Sequence, residues 1–165
     1  GHEADEIRAA LTGMPVNFTM NDNHATGQMS SVHTGLAAAG KGCCFLIVPA
    51  DMPRLKTLDC LLLLDAHDEA PEGRVTVPYR EHAGARQRGN PVILSASAAQ
   101  SVLDGGMNLG CRGLLDREPD LLHAFETDRD GFFVDMDTPD AYADVLADAA
   151  RYLPAGSERR HPEWN

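Results

Sequence analysis

Two apolar runs, far apart in the chain, each lead straight into a short acidic signature. Cys44-Phe45-Leu46-Ile47-Val48 precedes Pro49-Ala50-Asp51-Met52-Pro53, and Gly131-Phe132-Phe133-Val134 precedes Asp135-Met136-Asp137-Thr138-Pro139-Asp140. Apolar runs of that length read as buried strands. Each signature then puts carboxylates just past the carboxyl end of a strand, the edge where open α/β sheets hold their ligands. Two such carboxylates can share one hard cation, and Mg²⁺ usually arrives with a polyphosphate.

Around these runs, helical and strand patterns alternate. Helices are expected over Glu3–Leu11, Ser30–Ala39, Leu55–Ala66, Ser97–Leu103, Cys111–Arg117 and from Thr138 to about Tyr152. Ser97 and Gln100 stand at capping-box spacing, and Thr138-Pro139-Asp140 supplies an N-cap, a proline at N1 and an early acid. Strands are expected at Val16-Phe18-Met20, where apolar and polar residues alternate, and at Cys43–Val48, Arg74–Tyr79, Pro91–Leu94, His123–Thr127 and Phe132–Asp135. Glu81–Gly89 reads as a charged loop. Strands separated by helices predict an α/β fold with a mostly parallel sheet between two helical layers. One domain over residues 1–153 is expected, with a flexible tail at 154–165.

The net charge of −11 over 165 residues argues against a nucleic-acid or anionic-membrane surface, which needs a basic patch. It leaves nucleotides open, because a bound cation offsets the repulsion. No stretch nears the roughly 20 apolar residues of a membrane span. Cys43, Cys44, Cys60 and Cys111 show no paired zinc spacing and read as small core residues. A reducing cytoplasm is the expected compartment. The seven histidines are scattered and read mostly as surface residues.

Each candidate site residue also admits a plain structural reading. Asp51 could cap the helix near Leu55, and Asp137 could cap the one begun by Thr138-Pro139. Asp135 and Asp137 share a face in an extended segment, whereas Asp140 points elsewhere. Gly27-Gln28-Met29-Ser30-Ser31-Val32-His33-Thr34-Gly35 places glycines and two hydroxyls at a helix start, suited to a base or ribose. Simple capping by Ser30 or Thr26 is the alternative. Asn90, held extended before Pro91, offers a free amide, and Arg112 near a helix start could meet an anion. A haloacid-dehalogenase nucleophile also begins Asp-x-Asp after an apolar strand, but Pro139 occupies a position that motif gives to Thr or Val.

The order of these motifs resembles the molybdenum cofactor nucleotidyltransferases, in particular the cytidylyltransferase-like (MobA-like) branch. The matching stretches are Gly1-His2 with the helix Glu3–Leu11, then Gly27–Leu36, Pro49–Pro53, Gly89–Pro91, Gly110–Arg112 and Asp135–Asp140. The resemblance implies a three-layer α/β fold of the nucleotidyltransferase, glycosyltransferase-A-like type. It implies Mg²⁺ on Asp51 and Asp137, with Gly27, Ser30, Ser31 and Gly35 near the base and ribose. Asn90 and Arg112 would face a pterin-side substrate. The implied reaction moves CMP, or GMP, from a nucleoside triphosphate to molybdopterin with loss of pyrophosphate, CTP being favoured over GTP. Asn90 stands where the family usually has His, and the match begins after the family's second strand. The chain is therefore expected to be truncated at its amino end, lacking a Gly-rich phosphate loop. With that segment supplied it would be an enzyme. Without it, it would bind molybdenum cofactor or assist its insertion into an apo-enzyme, with a second copy or a molybdoenzyme as partner.

Overall fold

The computed structural model describes residues 3–105 and 111–152, with side chains as far as residue 147. In chain order its elements are α1 (Ala4–Ala10), α2 (Gln28–Ala39), β1 (Cys44–Ile47), α3 (Thr57–Asp68), β2 (Val75–His82), β3 (Ala85–Arg88), β4 (Val92–Ser95), α4 (Ala96–Asp104), α5 (Cys111–Arg117), β5 (Leu122–Glu126) and α6 (Pro139–Tyr152). Single 3₁₀ turns cover His24–Thr26, Pro119–Leu121 and Asp130–Phe132. The expected tail at 154–165 lies outside the described residues.

The strands form one five-stranded open sheet in which β1 pairs with β4 and β4 with β2. Val75 pairs with both Leu94 of β4 and Leu122 of β5, and Tyr79 with both Arg88 of β3 and Glu126 of β5. β3 and β4 therefore lie end to end along one side of β2, with β5 along the other. β1, β2 and β5 run one way, and β3 and β4 run against them. The sheet is thus mixed, and the α/β layering expected of it holds.

Strand side chains alternate between faces, and that alternation builds two cores. Phe45, Ile47, Val75, Val77, Val92 and Leu94 pack under α2, α4 and α5 with Leu36, Val102 and Leu114. On the other face Cys44, Leu46, Ile93 and Phe125 meet Leu63 and Leu64 of α3 together with Phe132 and Phe133. These are the three layers. Among the described residues, no helix is long and apolar enough to cross a membrane.

Several local expectations need correction. Val16, Phe18 and Met20 lie outside any strand and are exposed, because no neighbouring strand pairs with them in the described residues. The charged stretch Glu81–Gly89 is a hairpin instead of a loop: β2 and β3 pair from Tyr79↔Arg88 to His82↔Ala85. Its charges are accommodated because the hairpin stands out in solvent, and Arg86 pairs there with Glu126. The apolar run Gly131–Val134 is not a strand either. It coils through the 3₁₀ turn and drives Phe132 into the α3-side core at 1% exposure. α4 is capped by Ser95, whose hydroxyl accepts the Ala98 amide at 3.2 Å, in place of Ser97. Cys43 is exposed. His67 is half-buried with Nδ1 2.7 Å from the Thr76 hydroxyl, and burial pushes its imidazole below the ordinary value.

Candidate active site

Asp51 leaves the carboxyl end of β1, and Asp135 and Asp137 follow β5 and its 3₁₀ turn. Both acidic signatures therefore reach one edge of the sheet, although the second arrives on a loop. They share a cavity of about 220 Å³ lined by Gln28, Pro49, Asp51, Met52, Gln87, Arg88, Gly89, Asn90, Phe132, Phe133, Asp135 and Asp137. Asp51 and Asp137 lie close enough for their charges to interact. Neither caps the helix after it. Asp59 accepts the Lys56 amide ahead of α3 at 2.8 Å, and Thr138 accepts the Ala141 amide in α6 at 3.2 Å.

The proximity of these carboxylates has an electrostatic signature. Asp137 is raised above its ordinary 3.8, first by the Asp135 charge, then by burial, and then by the charge of Asp51 and the hydrogen bond to it. Like charges placed close together disfavour full ionisation of the group they surround. A proton and a cation compete for the same oxygens, so divalent-cation affinity is expected to rise with pH as Asp137 deprotonates and then level off. The sign for folding is opposite. A carboxyl whose folded pKa is raised favours the folded state on the acid side, and that contribution is lost as pH rises through the folded value. Asp135→Asn removes the largest cause, so the rise in Mn²⁺ affinity, followed by electron paramagnetic resonance, should begin at lower pH. An unmoved profile would refute the coupling.

The β3–β4 side of the cavity is shaped by a bulge. From Arg88 to Leu94 the chain takes six steps against four on β2, and Gly89-Asn90-Pro91 takes up the difference. The Asn90–Pro91 peptide is cis. The Gly89 amide donates to Pro78 O at 2.8 Å, and the Asn90 amide turns away to donate to Phe132 O, also at 2.8 Å. This frees the exposed Asn90 side chain to line the cavity. A Cβ on Gly89 would stand 2.6 Å from Phe132 O, so only glycine fits. Arg80 reinforces the same junction. It pairs with Asp130 at 3.0 Å, donates to Gln87 Oε1 at 2.9 Å and lies 4.3 Å from the Phe133 ring centroid.

The glycine and serine motif opens a second, adjoining space. α2 and β1 flank a groove of about 550 Å³ lined by Gln28, Ser31, Val32, Gly35 and Leu36 on one wall and Cys44–Pro49 on the other. Gln28 and Pro49 line both spaces, so groove and acidic cavity adjoin. Ser31 and Gly35 are exposed. Gly27 precedes α2 at φ 111°, a conformation that side chains disfavour. Ser30 is placed differently: it is buried, accepts from Asn21 Nδ2 at 2.8 Å and lies within donating distance of Asn23 O and Gly27 O. Its hydroxyl holds the loop before α2 and does not face the groove. Arg112 is exposed on α5 and is absent from the lining of the acidic cavity, where Arg88 appears instead.

Gln28 and Arg88, which line the acidic cavity, and buried Asn21, which holds Ser30 and Ser31, were not singled out by the sequence. Gln28 sits within the glycine and serine motif, where only the small residues carry a recognisable signal. Arg88 reads as one more charge in a polar stretch. Asn21 binds both Ser30 and Ser31, at 2.8 and 2.9 Å, a long-range contact that spacing does not announce.

The chemistry of the donors suits a hard divalent ion. Among the described residues no three carboxylates, imidazoles or thiols converge closely enough to hold a metal alone. Asp51 and Asp137 supply a pair of oxygens, and Mg²⁺ is commonly held by one or two carboxylates with substrate phosphates and water completing the shell.

Comparison with known proteins agrees with this architecture. The model of the MobA-like NTP transferase domain matches residues 1–123. Among solved structures, the crystal structure of the Mycobacterium tuberculosis Rv0371c homologue from Mycobacterium sp. strain JC1 is similar, with a TM-score of 0.59 at 18% identity, over 75% of this chain and 59% of that one. The chain thus spans little more than half the length of that neighbour. No curated protein matches.

Proposed function

We propose that this chain, which belongs to the MobA-like NTP transferase domain family, carries the metal-binding side of a cytoplasmic nucleotidyltransferase that moves CMP, or GMP, from a nucleoside triphosphate to a molybdopterin-type acceptor. The observation that carries the reading is the convergence of Asp51 and Asp137 on one cavity, adjoining the groove beside α2. In this reading the base and ribose lie against Ser31 and Gly35, with the amide of Gln28 between the groove and the acidic cavity. Asn90 and Arg88 meet the acceptor and its phosphate. An oxygen of the acceptor's terminal phosphate attacks the α-phosphorus of the triphosphate. The bond from that phosphorus to the bridging oxygen breaks, and pyrophosphate departs with the electron pair. Mg²⁺ held by Asp51 and Asp137 would neutralise charge gathering on the phosphoryl oxygens. The protein's own share is alignment: the bulge fixes Asn90, and the Phe132 turn fixes the loop to Asp137.

Titration calorimetry with CTP and GTP, with and without Mg²⁺, tests this. Binding should require the cation, CTP should bind more tightly than GTP, and Asp51→Asn should weaken cation-dependent binding by roughly 30-fold, the loss of one contact to a charged group of about 2 kcal/mol. Absence of heat with either nucleotide, alongside uptake of a molybdopterin dinucleotide, would overturn the transferase reading in favour of a cofactor carrier serving a molybdoenzyme.

A further inference from the structure

Asp59 does not line the acidic cavity, yet its carboxylate joins the two acidic loops. Its side chain is 2% exposed. Oδ2 accepts the Lys56 amide at 2.8 Å, closing the loop that begins at Asp51. Oδ1 accepts Arg129 Nε at 2.5 Å, seizing the loop that ends at Asp137. Gly131 presses against this carboxylate so closely that a Cβ there would strike Asp59 Oδ2 and stand 3.0 Å from the Arg54 carbonyl. One carboxylate is thus bonded to both segments, and the second segment has given up a side chain to reach it. Immediately beyond, the 3₁₀ turn locks, with Phe133 and Val134 amides both donating to Asp130 O at 3.0 and 3.2 Å.

We infer that Asp59 is a positioning residue, a brace that with Arg129 sets the separation of Asp51 from Asp137. The inference rests on the reading of those two aspartates as cation ligands. Asp59 itself binds neither cation nor substrate. A helix-start acid needs only the Lys56 amide. The Arg129 bond and the Gly131 approach are contacts that capping does not call for, and both lead to the second loop. Charge-assisted bonds of this kind are short and directional, and residues that orient metal ligands typically change metal affinity by about 10–100-fold when replaced.

Amide hydrogen exchange and Mn²⁺ titration of the Asp59→Asn and Arg129→Met proteins test the brace, with Arg129→Lys as the conservative variant. Asn keeps the shape of the side chain, so the fold should survive. Exchange over residues 129–137 is expected to quicken about tenfold or more in Asp59→Asn and Arg129→Met, while Val75–Val77 and Val92–Leu94 keep their protection. The Mn²⁺ dissociation constant should rise about tenfold in both, and less in Arg129→Lys. Unchanged exchange over 129–137 would overturn the inference, as would equal loss of protection in β2 and β4, which would make Asp59 a plain core residue. If exchange behaves as expected but Asp51→Asn does not alter Mn²⁺ binding, the ligand assignment fails and the brace between the loops stands.

Discussion

Phe132→Ala is expected to lower stability by about 3–5 kcal/mol, the range for a buried aromatic cut back to a methyl. For a chain of this size that is a fall in Tm of roughly 6–20 °C. Phe132 is 1% exposed and belongs to the core cluster of Leu63 and Ile93. It stacks edge-on to Phe125 and Phe133 at 5.8 and 6.4 Å. The lost contacts span sheet, helix and loop, so the cavity left behind has no single neighbour to fill it. Phe132 also lines the acidic cavity and accepts the Asn90 amide through its carbonyl. Cation affinity should fall with stability in this variant. Phe132→Leu keeps most of the volume and should cost about 1–2 kcal/mol. Denaturant melts of the two variants check the claim, and a loss under about 1 kcal/mol for the alanine would refute it.

Gly89→Ala is the second large effect, with the opposite physical origin. Here an atom is added where none fits. The new Cβ would meet the Phe132 carbonyl at 2.6 Å and the Phe133 ring at 2.8 Å. The ring could turn, but the carbonyl belongs to the backbone and already accepts the Asn90 amide. The bulge and the Phe132 turn must therefore part, at a cost of about 1–3 kcal/mol. Because Asn90 and Asp137 lie on the two sides of that junction, cation and nucleotide binding should weaken together. Gly35→Ala provides the contrast. Its Cβ would meet nothing within 4 Å, and at this exposed position of α2 alanine should add up to about 1 kcal/mol of stability. Thermal melts of both proteins against the parent would show the divergence, and parallel shifts would contradict it.

The layering of this fold was legible because it is written in short-range pattern. Val75, Val77, Val92 and Leu94 face one core and Ile93 the other, as the two-residue period of a strand requires. The meeting of Asp51 and Asp137 at one cavity was also legible, since a carboxylate after an apolar run is a local signal. What escaped is decided by distant partners. The stretch Glu81–Gly89 looked like loop because its residues are charged, and a solvent-facing hairpin tolerates charge as readily. Gly131–Val134 looked like strand, but Gly131 is spent on approaching Asp59 and the turn that follows buries a single phenylalanine. Ser30 looked available to a ligand, and a buried asparagine nine residues earlier claims it. Asp59 carried one local hint, an acid three residues after a residue whose amide precedes a helix, and nothing nearby in sequence announces Arg129.

The 3₁₀ turn at Asp130–Phe132 serves as floor of the acidic cavity and as plug of the α3-side core. Occupancy of the cavity and integrity of the core are therefore thermodynamically linked. A ligand that seats between the two loops must be released before Phe132 can leave, so its binding free energy is added to the work of unfolding. At a hundredfold excess over Kd that increment is about 2.7 kcal/mol, which corresponds to a rise in Tm of roughly 5–10 °C. Melting temperature becomes a binding isotherm for this protein, and candidate cations, nucleotides and pterins can be ranked by heat alone.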